Sequence, residues 1–272
     1  MQAPASIVRW PAEAIWQAVA PGWPGFTVEV LPEIDSTNTE LMRRARAGRL
    51  DPVLLVAERQ TAGRGRLGRA WASGAEGAAS PTAPEPGPAS LTFSIGLPLA
   101  PSDWSGLSLV VGLVVAESLH PALRLKWPND LWWRDRKLGG ILVETASQGA
   151  DRQVVVGVGL NIAPRDGQGL STPPAALREL WPEADAPTAL ARVVPPLMAA
   201  LRRFEREGFA PFQARFAACD ALAGRTVRLS DGTEGRADGV APDGALLVHT
   251  SGGMKRVTSS EVSVRPADHR PA

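Results

Sequence analysis

The chain has very few cysteines and histidines, and this restricts the disulfides, metal sites and catalytic sites that it can form. Its one cysteine, Cys219, cannot form a disulfide within the chain, which suits a reducing compartment such as the cytosol. Cys219 lies near the end of a predicted helical stretch, where a buried small hydrophobic residue is favoured over a nucleophile. The three histidines, His120, His249 and His269, are far apart in sequence. Their separation argues against a zinc site and a Ser-His-Asp triad.

Long apolar runs and strong net charge are also missing. The most apolar run, Leu107–Leu119, is interrupted by Gly112 and Glu117 and is shorter than the ~20 residues of a membrane span. Residues 1–16 lack a charged segment followed by an apolar core, so no signal peptide is predicted. A net charge of +1, from 29 basic and 28 acidic residues, argues against nucleic-acid binding through a broad basic face. We therefore expect a soluble, cytoplasmic protein.

Arginine and glycine are instead concentrated in residues 59–69, here called the Arg/Gly loop, which carries four arginines and three glycines. Glycines allow a backbone to approach a ligand closely, and amides with guanidinium groups suit carboxylate and phosphate oxygens. A solvated basic turn is the competing interpretation. Gly63, Gly65 and Gly68 also match the dinucleotide pattern G-x-G-x-x-G. Arginines fill its gaps and no helix follows, so a Rossmann site is excluded.

The whole chain has 272 residues, of which 44% are hydrophobic. Since a domain averages about 150 residues, this length allows one large domain or two unequal ones. Strands are predicted at residues 27–34, 52–58, 91–96, 123–127, 140–145 and 153–162. Helices are predicted from Thr37 to a stop at Gly48, over Leu107–Leu119 with Ser102 and Asp103 as caps, and over 188–209 with a break or kink at Pro195 and Pro196. Residues 226–264 predict a small barrel after a junction at 211–222.

Two local patterns add detail to this outline. Residues 37–40, Thr-Asn-Thr-Glu, form a capping-box pattern, which places Ser36 and Thr37 at a helix N-terminus that favours an anion. In residues 72–90, 16 of 19 residues are Ala, Gly, Pro or Ser. Such a segment buries too little apolar surface to offset its chain entropy, so a mobile loop is predicted there.

Polar and glycine-rich elements follow several predicted strand ends, and each is weak evidence by itself. Together they closely resemble biotin–protein ligase, over about residues 29–266. The matching segments are 35–38 (Asp-Ser-Thr-Asn), 57–71 with the Arg/Gly loop, 126–130 (Lys-Trp-Pro-Asn-Asp), 136–144 (Arg-Lys-Leu-Gly-Gly-Ile-Leu-Val-Glu), 157–161 (Gly-Val-Gly-Leu-Asn) and 260–265. The resemblance implies an α/β (α+β) fold. A mixed-sheet biotin/lipoate ligase-type catalytic domain would occupy 1–220, and an SH3-like small β-barrel 221–272.

The resemblance also implies a two-step reaction with biotin and ATP as substrates. The biotin carboxylate attacks the α-phosphorus of ATP, giving biotinyl-5′-AMP and pyrophosphate, and a carrier-domain lysine then attacks the mixed anhydride. Both reactants of the first step are anions, so cations must stabilise the charge on the phosphorus oxygens. Mg²⁺ is expected on the ATP phosphates, with its protein ligands unknown. The Arg/Gly loop is expected to close over the adenylate and exclude water.

The motifs assign site residues by their position in this sequence. On the biotin side they give Ser36, Thr37, Gln60, Gly63, Arg64, Arg66, Lys137, Gly140 and Gly157. On the ATP side they give Arg66, Trp71, Lys126, Asn129 and Asn161. The implied catalytic residues are Lys137, Arg64 and Asp130.

Lys137 is the leading catalytic candidate, as a cation between the biotin carboxylate and the α-phosphate. The roles of two other residues stay open at the level of sequence. Asp130 either helps to deprotonate the incoming lysine or helps to hold Mg²⁺. Trp71 is either a stacking surface for adenine or a buried anchor of the loop.

The implied partner is the biotin carboxyl carrier domain of acetyl-CoA carboxylase or a related carboxylase. Sheet-edge dimers occur in the family, so a homodimer is a further expectation. Some members carry an N-terminal helix-turn-helix and repress biotin genes; about 30 residues precede the first motif strand, so no DNA binding is expected. The alternatives are a lipoate or octanoate ligase, a nucleic-acid-binding module, and a catalytically silent biotin-binding scaffold. The biotin ligase is favoured by the sequence of the Arg/Gly loop, by the predicted C-terminal barrel, and by the presence of Lys137 and Asp130.

Overall fold

The computed structural model describes residues 8–73, 87–148, 151–258 and 264–266. The strands of its larger sheet are β1 (Thr27–Ile34), β2 (Val53–Gln60), β3 (Ser90–Pro98), β4 (Arg124–Lys126), β5 (Asp130–Trp133), β6 (Arg136–Gln148) and β7 (Asp151–Asn161). The helices are α1 (Ala12–Val19), α2 (Thr37–Arg46), α3 (Leu107–Leu119), α4 (Ala186–Glu207) and α5 (Gln213–Cys219). The strand order is β1-β2-β3-β7-β6-β5-β4, with β1 and β2 parallel and the other neighbours antiparallel. The predicted mixed sheet is confirmed.

The first crossover, β1-α2-β2, places a helix N-terminus at the end of a strand. Its cap is Ser36, whose Oγ accepts a hydrogen bond from the Thr39 N–H at 3.4 Å. The capping-box pattern had placed the cap one residue later, at Thr37, and that detail is wrong. The Thr37 hydroxyl is instead turned inward, 3.1 Å from Gln60 Oε1. Ser36 and Thr37 both lie at the helix N-terminus, as predicted.

The core lies between the sheet and the layer formed by α3 and α4. Most side chains of α3 are buried, because the sheet covers one of its sides and α4 another. The predicted caps Ser102 and Asp103 do not cap α3: Asp103 accepts from the Ser105 N–H at 2.8 Å, and the capping position is Gly106. Gly106 has a φ of 79°, and a Cβ there would lie 2.6 Å from the Phe209 ring, so both backbone and packing require glycine.

Helix α4 begins earlier than predicted and runs through both prolines. Asp185 caps its start by accepting from the Thr188 N–H at 2.6 Å. Pro195 and Pro196 lie inside one continuous 22-residue helix, so the predicted interruption is absent. The apolar face of the helix, which is buried against α1, α3 and β3, offsets the hydrogen bonds that the prolines cannot donate.

One strand was missed by the sequence analysis. Residues 123–127 and 140–145 were predicted as two strands around a polar turn, but β5 lies between β4 and β6. Arg134 and Asp135, with φ values of 49° and 59°, form the two-residue turn that joins β5 to β6. Two consecutive residues with positive φ are typical of the two-residue turns whose backbone twist matches that of the two strands of a hairpin. Consequently β6 starts at Arg136, and Lys137 lies within a strand.

The predicted mobile segment, residues 72–90, falls largely outside the described residues, which stop at Ser73 and resume at Gly87. The described residues at its two ends make defined contacts. The buried Ser73 Oγ accepts from the Gln60 N–H at 2.7 Å, and Ser90 already belongs to β3. Ala72 and Ser73 lie in no helix or strand, as predicted for a loop, whereas the prediction is wrong at Ser90, which belongs to β3.

The C-terminal part forms a second, antiparallel sheet that is docked on the first. Its strands are β8 (Thr226–Leu229), β9 (Glu234–Val240), β10 (Leu246–Thr250), β11 (Gly253–Val257) and β12 (Val264–Pro266), in the order β11-β10-β9-β8-β12. Trp127 is buried and its Nε1 donates to the Gly244 carbonyl at 3.0 Å. Arg225 and Asp135 form an ion pair at 2.5 Å. The boundary at residues 220 and 221 stays a prediction.

None of the described helices combines the length and apolar character needed to cross a bilayer. Cys219 is partly buried against the core, and burial raises the pKa of its thiol to about 11. A protonated thiol is a poor nucleophile, in line with the structural interpretation of this residue.

The junction between the two sheets contains a buried carboxyl group, Asp220. Its Oδ1 accepts from the Leu222 N–H at 2.8 Å, whereas Oδ2 has no hydrogen-bond partner among the described residues. Burial raises the pKa of Asp220 to about 6, from an ordinary value of 3.8. The contribution of Asp220 to stability is therefore present at acidic pH and is lost as pH rises through 6.

We expect Asp220→Asn to raise the free energy of unfolding by about 1–2 kcal/mol at pH 8 and to give no gain at pH 4. The amide keeps the acceptor for Leu222 and removes the desolvated charge. Chemical denaturation at both pH values measures the difference. Asp231→Asn is the control, because a hydrogen bond from Lys255 lowers the pKa of Asp231 to about 2 and its charge is favourable. A gain for Asp220→Asn at pH 4 equal to that at pH 8 would contradict the ionisation.

Candidate functional site

A cavity of about 360 Å³ opens at the end of the large sheet where the motif segments meet, within the size range of small-molecule sites. It is lined by the N-terminus of α2, the Arg/Gly loop, the turn between β4 and β5, and strands β6 and β7. The predicted residues that line it are Ser36, Thr37, Gln60, Arg64, Arg66, Trp71, Lys126, Asn129, Asp130, Lys137, Gly140, Gly157 and Asn161. Gly63 is the one predicted residue outside the described lining. It lies immediately behind, where any Cβ would overlap the Trp71 carbonyl oxygen.

A buried polar network lies beside the N-terminus of α2. Gln60 Oε1 accepts from the Thr37 N–H at 2.7 Å, and Thr37 Oγ1 lies 2.7 Å from Ser94 Oγ. The same serine hydroxyl lies 2.6 Å from Asn38 Oδ1. Thr37, Asn38, Gln60 and Ser94 are all buried, and they present neutral donors and acceptors. This part of the cavity suits a polar group without net charge.

Asn38 was quoted in a motif but was not predicted as a site residue. Its amide lies directly over Gly157 of β7, and its Nδ2 donates to the Leu142 carbonyl at 3.3 Å on the neighbouring strand β6. A Cβ at position 157 would lie 2.8 Å from Asn38 Cγ and would overlap Oδ1. Gly157 therefore makes room for Asn38, a role that its position in a strand does not reveal in sequence.

The Arg/Gly loop folds over one side of the cavity. The Gly63 carbonyl accepts from the Trp71 N–H at 2.8 Å, and the Arg69 carbonyl accepts from the Gly65 N–H at 2.7 Å, so the loop closes on itself. Arg66 reaches Asn129 Oδ1 at 3.2 Å, and burial lowers the pKa of its guanidinium. A solvated basic turn does not match this arrangement.

Three charged groups meet at the centre of the cavity. Lys137 Nζ lies 2.7 Å from Asp130 Oδ1, and Lys126 Nζ lies 3.7 Å from Oδ2. Burial raises the pKa of Asp130, but the charges of Lys137 and Lys126 outweigh it and hold the pKa below its ordinary value. Asp130 is thus ionised at neutral pH and holds Lys137. A Cβ at Gly140 would lie 3.4 Å from Lys137 Nζ, so this glycine leaves space around the amine.

The far side of the cavity is formed by Trp71 and Asn161. The Trp71 ring packs on Gly159, where a Cβ would lie 2.5 Å from ring atom Cε2. Asn161 Nδ2 donates to the Ala175 carbonyl at 2.9 Å, which fixes the segment after β7. Gly157 and Gly159 are two residues apart on one face of a strand, one below Asn38 and the other below Trp71.

Two further cations line the cavity and were not predicted as site residues. Arg69 belongs to the Arg/Gly loop, and its charge lowers the pKa values of Asp130 and Arg66. Arg165 donates to the Ala72 carbonyl at 3.0 Å and lies 3.3 Å from Asn161 Oδ1. The arginine density of the loop was a signal for Arg69. Arg165 lies in no matched motif, so the sequence offered no signal for it.

The carboxylates near the cavity bear on metal binding. Asp130 is the one carboxylate among the described lining residues, and it already faces two lysines. Within the described ranges, no cluster of three or more His, Cys, Asp or Glu side chains could hold a metal ion. This donor set fits a Mg²⁺ ion carried by phosphate oxygens better than one held by a protein cage.

Comparison with known proteins agrees with this geometry. Residues 30–161 match the model of the biotin/lipoate A/B protein ligase family, and residues 223–265 match the biotin protein ligase C terminal domain. The chain is 40% identical over 261 residues to the bifunctional ligase/repressor BirA of Escherichia coli, covering 90% of this chain and 76% of that protein. It is 30% identical over 245 residues to the biotin--[acetyl-CoA-carboxylase] ligase of Paracoccus denitrificans, covering 86% and 98%.

A solved structure shows the same likeness in three dimensions. The biotin protein ligase from Aquifex aeolicus, in complex with biotin and ATP, superposes with a TM-score of 0.71 at 28% identity. The match covers 88% of this chain and 99% of that one. It includes both sheets, so the predicted pairing of a mixed-sheet catalytic fold with an SH3-like C-terminal domain is confirmed.

Proposed function

Because this chain belongs to the biotin protein ligase family, we propose that the cavity described above is its combined biotin and ATP site. The chain is an ATP-dependent ligase that activates biotin as biotinyl-5′-AMP and transfers biotin to a lysine of a biotin carboxyl carrier domain. The observation that carries the site assignment is the junction of a neutral polar network with a cluster of cations. The reaction needs both: a place for an uncharged ring system and a place for a carboxylate against phosphates.

Biotin is assigned to the network side. Its ureido ring is neutral and carries both donors and acceptors, which the lining residues Thr37 and Gln60 can pair, with Ser94 behind Thr37. Ser36, Gly140 and Gly157 border this space without filling it. The biotin carboxylate then points toward Lys137, and Arg64 and Arg66 of the Arg/Gly loop are assigned to the same side. Gly63 contributes indirectly, by letting the loop approach Trp71.

ATP is assigned to the opposite side, with Lys126, Asn129 and Asn161 as its contacts and Trp71 as the stacking surface for adenine. Lys137 Nζ lies between the two substrates, where it offsets the repulsion between the carboxylate and the α-phosphate as the new C–O–P bond forms. Pyrophosphate leaves from the same phosphorus. Mg²⁺, carried by the phosphates, would supply further charge neutralisation there.

Asp130 holds the Lys137 ammonium at 2.7 Å and so positions it. In the second step the carrier lysine amine attacks the acyl carbonyl, AMP leaves, and the amine loses a proton. Asp130 is the nearest described carboxylate that could accept that proton, but its lowered pKa makes it a weak base. We therefore assign it mainly to holding Lys137.

Several wider aspects of the function are proposals on the same basis. The carrier is assigned to acetyl-CoA carboxylase, because the similar protein of Paracoccus denitrificans is a biotin--[acetyl-CoA-carboxylase] ligase. Action in the cytoplasm and a homodimer through a sheet edge are proposed as well. The expectation that this chain acts without DNA binding stays a prediction.

The proposal is tested by measuring pyrophosphate release from Mg-ATP with biotin, lipoate or octanoate as the acid. We expect pyrophosphate release with biotin but not with lipoate or octanoate, together with a biotinyl-AMP peak in the mass spectrum. A purified carrier domain should then gain one biotin on its lysine. Release with lipoate or octanoate in place of biotin would leave the fold intact and overturn the substrate. No release with any of the three acids would favour a silent scaffold.

A further inference from the structure

Glu144, on β6, lies at the edge of the site with no function attached to it so far. Its carboxylate accepts from two side chains of different elements. Oε1 accepts from Arg64 Nη2 at 2.8 Å, and Oε2 accepts from Asn38 Nδ2 at 3.0 Å. One carboxylate therefore connects the Arg/Gly loop to the N-terminus of α2.

The connection continues into the polar network beside the biotin side of the cavity. Asn38 Oδ1 lies 2.6 Å from Ser94 Oγ, and that hydroxyl lies 2.7 Å from Thr37 Oγ1. Thr37 in turn pairs with Gln60, the residue at which β2 ends and the loop departs. Both the start of the loop and its Arg64 are thus tied to one chain of hydrogen bonds, with Glu144 as the last member.

Arg64 needs such an anchor more than an ordinary surface arginine does. It is flanked by Gly63 and Gly65, which restrict the backbone least of all residues. Its side chain is 45% exposed, whereas that of Glu144 is 21% exposed. Its other contact is with Thr39 Oγ1 at 3.1 Å, again at the N-terminus of α2. An isolated exposed ion pair contributes little, but here the carboxylate is also held by buried Asn38.

We propose that Glu144 is a positioning residue for biotin activation: it holds Arg64, and with it the Arg/Gly loop, against the biotin side of the cavity. This inference rests on the proposed function, because it assigns Arg64 to the biotin side. The role requires a carboxylate. A glutamine would offer one acceptor and one NH₂ group, and that NH₂ would face either Arg64 or Asn38, both of which are donors.

A double-mutant cycle with Glu144→Ala and Arg64→Ala tests the proposal in biotin-dependent pyrophosphate release. We expect each single variant to raise KM for biotin about tenfold, and the double variant to show about the same rise, because the residues act as one unit. KM for ATP should change by less than about twofold, since ATP lies on the other side. Glu144→Gln should behave like Glu144→Ala. If KM for biotin rose about a hundredfold in the double variant, the two residues would act independently and the proposal would be wrong.

Limited trypsin digestion gives a readout that does not depend on activity. Cleavage after Arg66 or Arg69, mapped by mass spectrometry, should be faster in Glu144→Ala and Glu144→Gln than in the parent. The control is Glu29→Gln on β1, outside the cavity lining. The Glu29 carboxylate accepts from Arg44 at 2.8 and 2.9 Å, and an amide can keep only one of these two hydrogen bonds. Glu29→Gln should change neither KM nor cleavage in the loop, and melting curves confirm that each variant is folded.

The two assays separate the two proposals. In one outcome the loop is cleaved faster in the Glu144 variants than in the parent, but the parent does not activate biotin. This outcome would support the anchoring role of Glu144 and overturn the proposed function. A parent that activates biotin, together with unchanged cleavage and unchanged KM in both Glu144 variants, would leave the function standing and overturn the anchor.

Discussion

Lys137→Ala is expected to reduce biotin-dependent pyrophosphate release by about 100-fold or more, the loss seen when one preorganised charge-stabilising group is removed from an active site. Lys137 Nζ lies 2.7 Å from Asp130 and beside the space left by Gly140. No water molecule can reproduce a positive charge fixed at the point where a carboxylate meets a phosphate. The loss should appear mainly in kcat, because the charge matters most when the two anions approach.

The matched control is Lys255→Ala in the C-terminal sheet. Lys255 makes an ion pair with Asp231 at the same distance, 2.7 Å, but it does not line the cavity. Lys255→Ala removes the same charge and the same kind of contact as Lys137→Ala. The activity of the Lys255→Ala variant should therefore stay near that of the parent. Activity of Lys137→Ala within about tenfold of the parent would contradict the assigned role.

Loss of folding must be separated from loss of catalysis, because Lys137 also compensates a buried carboxylate. The pKa of Asp130 lies below its ordinary value, so its charge stabilises the protein above pH ~4 and ceases to do so as pH falls through the folded pKa. Without Lys137, the remaining lysine is 3.7 Å away and burial raises the pKa of Asp130. Adding Asp130→Asn to Lys137→Ala should restore stability at pH 7 without restoring pyrophosphate release.

The sequence was most informative where chemistry is carried by contiguous motifs. The segments at Ser36, in the Arg/Gly loop, and at Lys126 and Lys137 follow strand ends or begin strands of one sheet. Closing the sheet therefore brings them to one cavity. Local patterns predicted strand β1 and helix α3, whereas the mixed sheet was predicted from the resemblance to the family. The capping box was ambiguous because Ser36 and Thr37 can both cap a helix, and only the tertiary contact of Thr37 with Gln60 decides between them.

Contacts between distant residues could not be predicted from one sequence. Asn38 and Glu144 are 106 residues apart and meet only because α2 packs across β6. Strand β5 was missed because its four residues lie between two turns, and Trp132 and Trp133 give no alternation to detect. Helix α4 continues through two prolines because its buried face is long, an effect of packing that outweighs local propensity.

Gly157→Ala is expected to lower kcat/KM for biotin by about 100-fold, because a small misplacement of binding groups is costly in a preorganised site. The added methyl group would lie 2.8 Å from Asn38 Cγ. Asn38 is buried and contacts Ser94, Leu142 and Glu144, so it cannot move without breaking hydrogen bonds. KM for biotin should carry most of the loss, since the displaced groups lie on the biotin side.

The cause can be isolated with two further variants. Gly22→Ala adds the same methyl group where the nearest atom, the Val19 carbonyl oxygen, is 3.5 Å away, and it should leave the kinetics unchanged. Asn38→Ala combined with Gly157→Ala removes the overlap but also the hydrogen bonds. If Asn38 acts by holding the network, this pair should recover thermal stability relative to Gly157→Ala and stay poor in biotin activation. Recovery of activity as well would mean that Gly157 only avoids a clash, and that Asn38 has no part in placing biotin.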